Sequence, residues 1–179
     1  MKNVLIISSS LRKGSNSEAL AKEFAQGASE AGNKVELISL RDKDIRFCRG
    51  CLACQKTQKC VISDDSQTIV AKMHDADVIV FATPIYYYEM SGQLKTLLDR
   101  ANPLYPSDYR FRDIYMLTSA AEDEESTPER AVMGLTGWID CFEKANLAGT
   151  VFAGGVNAPD EIKGHQALTE AYAAGNKIR

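Results

Sequence analysis

The sequence predicts an α/β fold, a doubly wound, five-stranded parallel sheet with helices on both faces. Three observations predict it. Short apolar runs alternate with helical patterns five times along the chain, the signature of repeated strand–helix–strand units. The run Val78–Ala82 is continuously β-branched or apolar, as in a strand buried on both faces. No linker, internal repeat or low-complexity stretch interrupts the 179 residues, so residues 1–179 are expected to form a single domain.

The elements follow in order. Val4–Ile7 is the first strand, and a polar loop, Ser8–Ser15, leads from it into a helix over residues 16–31. Leu20, Phe24 and Ala28 recur every four residues in that helix, and Gly32 closes it. Val35–Leu40 is the second strand, with only partial alternation of apolar and polar residues. Asp64 or Asp65 can cap a helix carrying Ile69, Val70 and Met73. After Val78–Ala82, Ser91 caps a helix with Leu94, Leu97 and Leu98 on one side. Ile114–Leu117 is the fourth strand. Ser126-Thr127-Pro128-Glu129 combines a capping box with a first-turn proline and starts a helix expected to run to about Asn146. Val151–Ala153 is the fifth strand, and residues 166–177 form the last helix.

Composition narrows the function classes. Twenty-one basic against 24 acidic residues give a net charge of −3, with no basic stripe, which argues against nucleic acid or an anionic membrane as partner. The N-terminal apolar run turns polar at Ser8, too soon for a signal peptide or a membrane span. A cytoplasmic protein is expected. Of the five cysteines, four fall within residues 48–60. In a reducing compartment such crowding suggests metal or redox chemistry rather than a disulfide framework.

Ligands of parallel sheets bind at the carboxyl ends of the strands, where the strand order reverses. Four loops therefore matter: Ser8–Ser15, residues 41–64, Thr83–Met90 and Thr118–Glu125. The first opens directly onto a helix, whose free N–H groups and dipole favour an anion. Ser10, Ser15, Asn16 and Ser17 offer short donors, and Arg12 can make charge-assisted bonds. Both the G-x-G-x-x-G and the G-x-x-x-x-G-K-[ST] phosphate motifs are absent. The third loop carries Tyr86, Tyr87 and Tyr88 in succession. All three cannot enter a core, so aromatic area is left for a planar ligand, a partner or solvent.

At these residues the chain resembles the flavodoxin-like NAD(P)H-dependent reductases that carry flavin mononucleotide (FMN), and more narrowly the iron–sulfur flavoproteins. The matching stretches are Ile7–Asn16, Cys48–Asp65, Pro84-Ile85-Tyr86 with Gln93–Arg100, and Asp160–His165 with Ala167-Leu168. The resemblance implies a flavodoxin-like sheet. It places the FMN phosphate at Ser10, Arg12, Ser15, Asn16 and Ser17, and the ring and ribityl chain at Pro84, Ile85, Tyr86 and Tyr87. Thr118, Ser119 and Ala120 would approach the ring from the next strand. Two positions depart from the family's pattern: Ser9 stands where glycine is usual, and Leu11 where proline is frequent.

The iron–sulfur flavoproteins show the spacing Cys48-x2-Cys51-x2-Cys54-x5-Cys60. Such tight runs let three thiolates converge on one cube, so the resemblance implies a four-iron four-sulfur cluster. A tetrahedral zinc site and a loop of free thiols are the alternatives. The resemblance further implies reduction of a quinone, flavin or similar small acceptor by NAD(P)H, no catalytic acid–base residue, and a homodimer or higher oligomer. An electron carrier served by a ferredoxin-like donor and an FMN-binding regulatory or scaffold protein are the rival readings. His74, His165 and Cys141 are expected to be structural, as is an Asp99-Arg100 charge pair.

Overall fold

The computed structural model describes every residue from Met1 to Arg179. Its strands are β1 (Asn3–Ser8), β2 (Lys34–Ser39), β3 (Val78–Tyr86), β4 (Glu89–Met90), β5 (Asp113–Ser119) and β6 (Asn146–Ala153). Its helices are α1 (Asn16–Glu30), α2 (Ala53–Thr57), α3 (Asp65–Asp75), α4 (Gly92–Arg100), α5 (Glu129–Ile139) and α6 (Gln166–Asn176). Five strands run parallel in the order β2-β1-β3-β5-β6. The short β4 pairs antiparallel with the end of β3, Ile85 opposite Met90 and Tyr86 opposite Glu89.

The two periods of the sequence build the two cores. Along β1, Leu5 and Ile7 join one apolar cluster with Ile69, Met73, Leu94, Leu97 and Leu135 of α3, α4 and α5. Val4 and Ile6 point the other way, into a second cluster with Leu20, Phe24, Ala167 and Ala171 of α1 and α6. Strand side chains alternate between faces, so a strand covered on both sides must be apolar at every position. Ile6, Ile7, Val78, Ile79, Val80 and Phe81 are all fully buried, each contributing about 1.5–3 kcal/mol relative to exposure. The edge strands β2 and β6 are half exposed along most of their length, which explains the imperfect alternation at Val35–Leu40.

Two boundaries differ from expectation. The helix expected to reach Asn146 ends at Ile139. Residues 140–145 turn instead through Phe142 N–H to Ile139 O and Ala145 N–H to Phe142 O bonds. The strand expected at Val151–Ala153 begins at Asn146, because Asn146, Gly149 and Thr150 lie on an edge that needs no apolar run. The capping box at Ser126–Glu129 does not form; Pro128 stands at the cap without a side-chain bond, and Glu129 N–H donates to the Ser126 carbonyl.

Helices α1 and α6 approach at two glycines. A Cβ on Gly27 would lie 2.1 Å from the Tyr172 carbonyl oxygen, and one on Gly175 would lie 2.2 Å from that of Phe24. Neither backbone oxygen can move without separating the helices. Gly27→Ala and Gly175→Ala should each destabilise the protein by about 1–3 kcal/mol, the range for overpacking. Gly137→Ala in α5, where a Cβ meets nothing, should stabilise by about 0.4–1 kcal/mol. Urea midpoints of the three variants against wild type check the contrast.

Candidate functional site

The strand order reverses between β1 and β3, and the loops leaving their carboxyl ends meet there. After Ser8 the chain passes Ser9, whose buried hydroxyl lies 2.8 Å from that of Ser91. The departure from glycine thus ties this loop to the cap of α4, since Ser91 also accepts from Leu94 N–H. Ser10 accepts the Arg12 N–H at 3.3 Å. Gly14 takes φ +69°, the left-handed conformation that lets the chain turn into α1. Ser15 then caps α1 by accepting from Glu18 N–H.

The backbone N–H groups of this loop are largely unused. Those of Ser10, Ser15, Asn16 and Ser17 donate to no group within the chain, although all four residues are buried. Buried backbone donors are almost always paired. A run of them at a helix N-terminus, beside an arginine, has the donor chemistry that an anion needs. Arg12 itself is exposed and donates through Nη1 to the Asn157 carbonyl at 2.5 Å.

A cavity of about 360 Å³ opens from this loop, lined by Ser10, Arg12, Ser15, Asn16, Pro84–Tyr88, Ser119–Glu122, Val156 and Asn157. Its volume falls within the range of small-molecule sites. The turn between β3 and β4 forms one wall, with Tyr87 at φ 50° and Tyr88 at φ 65°. Both central residues in the left-handed region make a two-residue hairpin turn, a place that favours Asn and Gly. Holding two tyrosines there costs of order 1–3 kcal/mol each, so the rings serve something other than the turn. Tyr86 and Tyr88 are half exposed, Tyr87 is 99% exposed, and the Arg130 guanidinium lies 5.7 Å from the Tyr88 ring centre. After β5, Ala120 N–H is bound to Ala153 O, whereas Ala121 and Glu122 N–H donate to no group in the chain.

A sequence model of the family described as NADPH-dependent FMN reductase matches residues 2–155. The chain belongs to that family. An iron–sulfur flavoprotein of Methanocaldococcus jannaschii is 42% identical over 101 residues, 56% of this chain and 52% of that protein. The matched stretch is therefore about half that relative's length. An iron–sulfur flavoprotein of Methanosarcina thermophila is 27% identical over 92% of this chain and 88% of its own. In fold, the NAD(P)H:quinone oxidoreductase of Methanothermobacter marburgensis superposes with a TM-score of 0.74 at 18% identity, covering 99% of both chains.

The residues present fit the family's FMN at its phosphate end, where buried unpaired N–H groups, serine hydroxyls and Arg12 converge. Of the residues singled out from sequence, all line the cavity except Ser17 and Thr118. Ser17 keeps its hydroxyl 3.0 Å from that of Ser15, and Thr118 donates to the Val151 carbonyl. Asn16 reaches the cavity wall, but its side chain is taken at both ends, donating to Ala158 O and accepting from Ile162 N–H. Sequence reasoning missed Tyr88, Ala121, Glu122, Val156 and Asn157. Val156 and Asn157 follow the last strand at the same carboxyl edge, so the strand-end rule could have found them.

The four clustered cysteines do not converge as a metal centre. Cys48 and Cys51 are exposed, Cys60 is half buried, and Cys54, carried inward by α2, accepts from Asn102 Nδ2 at 3.1 Å. All four line one cavity of about 470 Å³ with Cys141, yet no three metal-ligating side chains come close enough to hold an ion. As folded, the donor set does not fit a cluster. His165 is structural, capping α6 through Nδ1.

The segment is anchored instead by Arg100, which pairs with Asp64 and not with its neighbour Asp99, whose partner is Lys95. The Arg100 guanidinium donates to Arg46 O, Ile62 O and both Asp64 oxygens, joining the two ends of the cysteine loop. Burial pushes the Asp64 carboxyl up, but donors from Arg100, Ser66 and Arg46 outweigh it and hold the group well below its ordinary value. Asp64→Asn should cost about 3–5 kcal/mol at neutral pH, as for one partner removed from a buried pair. With the folded value depressed, the pair's contribution is full above the unfolded pKa of about 3.9 and is lost as pH falls below it. Urea midpoints across that acid range should fall more steeply for wild type than for Asp64→Asn; parallel curves would contradict the assignment.

Proposed function

We propose that this chain is an FMN-containing, NAD(P)H-dependent oxidoreductase that reduces a quinone, flavin or similar small acceptor. The observation that carries it is the buried run of unpaired N–H groups at Ser10, Ser15, Asn16 and Ser17, a cradle made for a phosphate. When bound, FMN supplies the redox chemistry, accepting hydride from a nicotinamide and passing electrons on.

The chain's own residues hold and orient. Ser10, Ser15 and the first N–H groups of α1 grip the phosphate, while Arg12 neutralises it. Pro84, Ile85 and Tyr86 flank the ring and ribityl chain. The free N–H groups of Ala121 and Glu122, in the lining of the same cavity, would donate to a ring carbonyl. Ser119 and Ala120 line the same cavity. No proton-transferring side chain is required, and residues 1–179 act as one FMN-binding unit. The wholly exposed Tyr87 ring at the cavity rim supports a second copy of the chain at this edge. We place its action in the cytoplasm; no helix is long and apolar enough to cross a membrane.

An electron-carrier reading, with a cluster at Cys48, Cys51, Cys54 and Cys60 and a ferredoxin-like donor, is favoured by the single cavity these thiols share. It requires the 48–60 segment to rearrange around the metal. Two measurements decide. Anaerobic titration of the FMN-loaded protein with NADPH and NADH should bleach the flavin band stoichiometrically. Bleaching only by reduced ferredoxin, with about four irons per chain, supports the carrier; no bleaching by any donor rejects both. For the phosphate cradle, Arg12→Ala should weaken FMN binding by about 1.5–3 kcal/mol, as for bonds to charged groups. Unchanged affinity in Arg12→Ala, Ser10→Ala and Ser15→Ala would reject the placement.

A further inference from the structure

The segment Asn157–Ile162, after β6, lies beyond the residues matched by the family model, yet it is bonded to the loop after β1 and to the first residue of α1. Arg12 Nη1 donates to Asn157 O at 2.5 Å, and Asn16 Nδ2 to Ala158 O at 3.0 Å. In return, Asp160 N–H donates to Gly14 O at 2.9 Å, and Ile162 N–H to Asn16 Oδ1 at 3.2 Å. Asp160 holds φ 63°, a left-handed conformation at a non-glycine residue. Such a conformation persists only where neighbouring contacts determine it.

One side chain organises this segment. Glu161 Oε2 accepts the N–H groups of both Asn157 and Ala158, at 2.6 and 2.7 Å. The Ala158 N–H shares a peptide plane with the Asn157 carbonyl and the Asn157 N–H belongs to the preceding peptide, so the two bonds to one oxygen hold both planes and with them the direction of that carbonyl. That carbonyl is the group holding the Arg12 guanidinium. The same two donors keep the Glu161 carboxyl below its ordinary range. The carboxylate therefore stays ionised as the acceptor of both amides.

We propose that Asn157–Glu161 is a clasp that aims Arg12 at the flavin phosphate, with Glu161 as its positioning residue. The proposal rests on the placement of that phosphate in the loop after β1. An exposed arginine loses side-chain freedom when it binds, and one already held loses less. Preorganisation of this kind raises affinity without adding a contact to the ligand. The ligand class follows: the clasp favours flavin phosphates over unphosphorylated flavin, because it acts only through the group that meets the phosphate.

The test compares FMN with riboflavin on the full-length protein by fluorescence titration. Glu161→Ala should lower FMN affinity about threefold to tenfold, the size of coupling between neighbours in one network, and leave riboflavin affinity unchanged. Glu161→Gln keeps one acceptor oxygen and should lose less, which gives a reading should the alanine variant fold poorly. In an Arg12→Ala background, Glu161→Ala should lower FMN affinity no further. A merely structural residue would weaken both flavins alike and add to Arg12→Ala. Either result, or unchanged FMN affinity in both Glu161 variants, overturns the clasp alone. Wild-type protein that prefers riboflavin, or binds both flavins equally, overturns the phosphate placement and the clasp with it.

Discussion

The whole arrangement depends on the burial of β1 and β3 between two helical layers. With Val4, Leu5, Ile6 and Ile7 all inaccessible, no polar chemistry can sit along these strands. It is displaced to their carboxyl ends, where the order β2-β1-β3 reverses and the chain must change direction. The polarity changes within one residue. Ile7 is pure core, while Ser8, Ser9 and Ser10 are buried hydroxyls that need partners. Ser9 finds Ser91, Ser10 takes the Arg12 N–H, and the N–H groups beyond them are left for a ligand. A rigid sheet holding an unsatisfied edge is how this chain turns packing into binding.

Much of this could be read from residues that packing dictates. Val78–Ala82 announced a strand covered on both faces, and the spacing of Leu20, Phe24 and Ala28 gave the face of α1 that meets the sheet. The free donors of the loop after β1 were legible because a helix start after a first strand leaves N–H groups unpaired. What could not be read had weak local signals. β6 begins at Asn146, where an edge strand needs few apolar residues. The two-residue β4 exists only through its pairing with β3. Ser17 and Thr118 carry the right chemistry in the right segments, yet their side chains bond internally. Nothing local distinguishes a donor facing a cavity from one facing its neighbour.

The cysteine segment shows the limit from the other side. Its spacing is informative and resembles that of the iron–sulfur flavoproteins, but spacing does not fold a loop. A segment with so little apolar content has no core of its own to order it. The structure supplies another organiser, the buried Arg100, which gathers carbonyls from Arg46 and Ile62 and the carboxylate of Asp64. Position 100 looked like half of a neighbouring pair because Asp99 adjoins it. The true partner is 36 residues away in sequence, and only the tertiary fold brings the two together. The phosphate loop and the cysteine loop share no side chain, so one chain carries two separately anchored polar regions.

The central claim is that the loop after β1 encloses the phosphate of FMN. Phosphorus NMR of the FMN-loaded protein across the phosphate's second ionisation, about pH 6, tests it most directly. A phosphate gripped by buried N–H groups and Arg12 should show a shifted resonance that stays constant as pH is lowered through that range. A resonance that titrates like free FMN while the flavin remains bound would contradict the account.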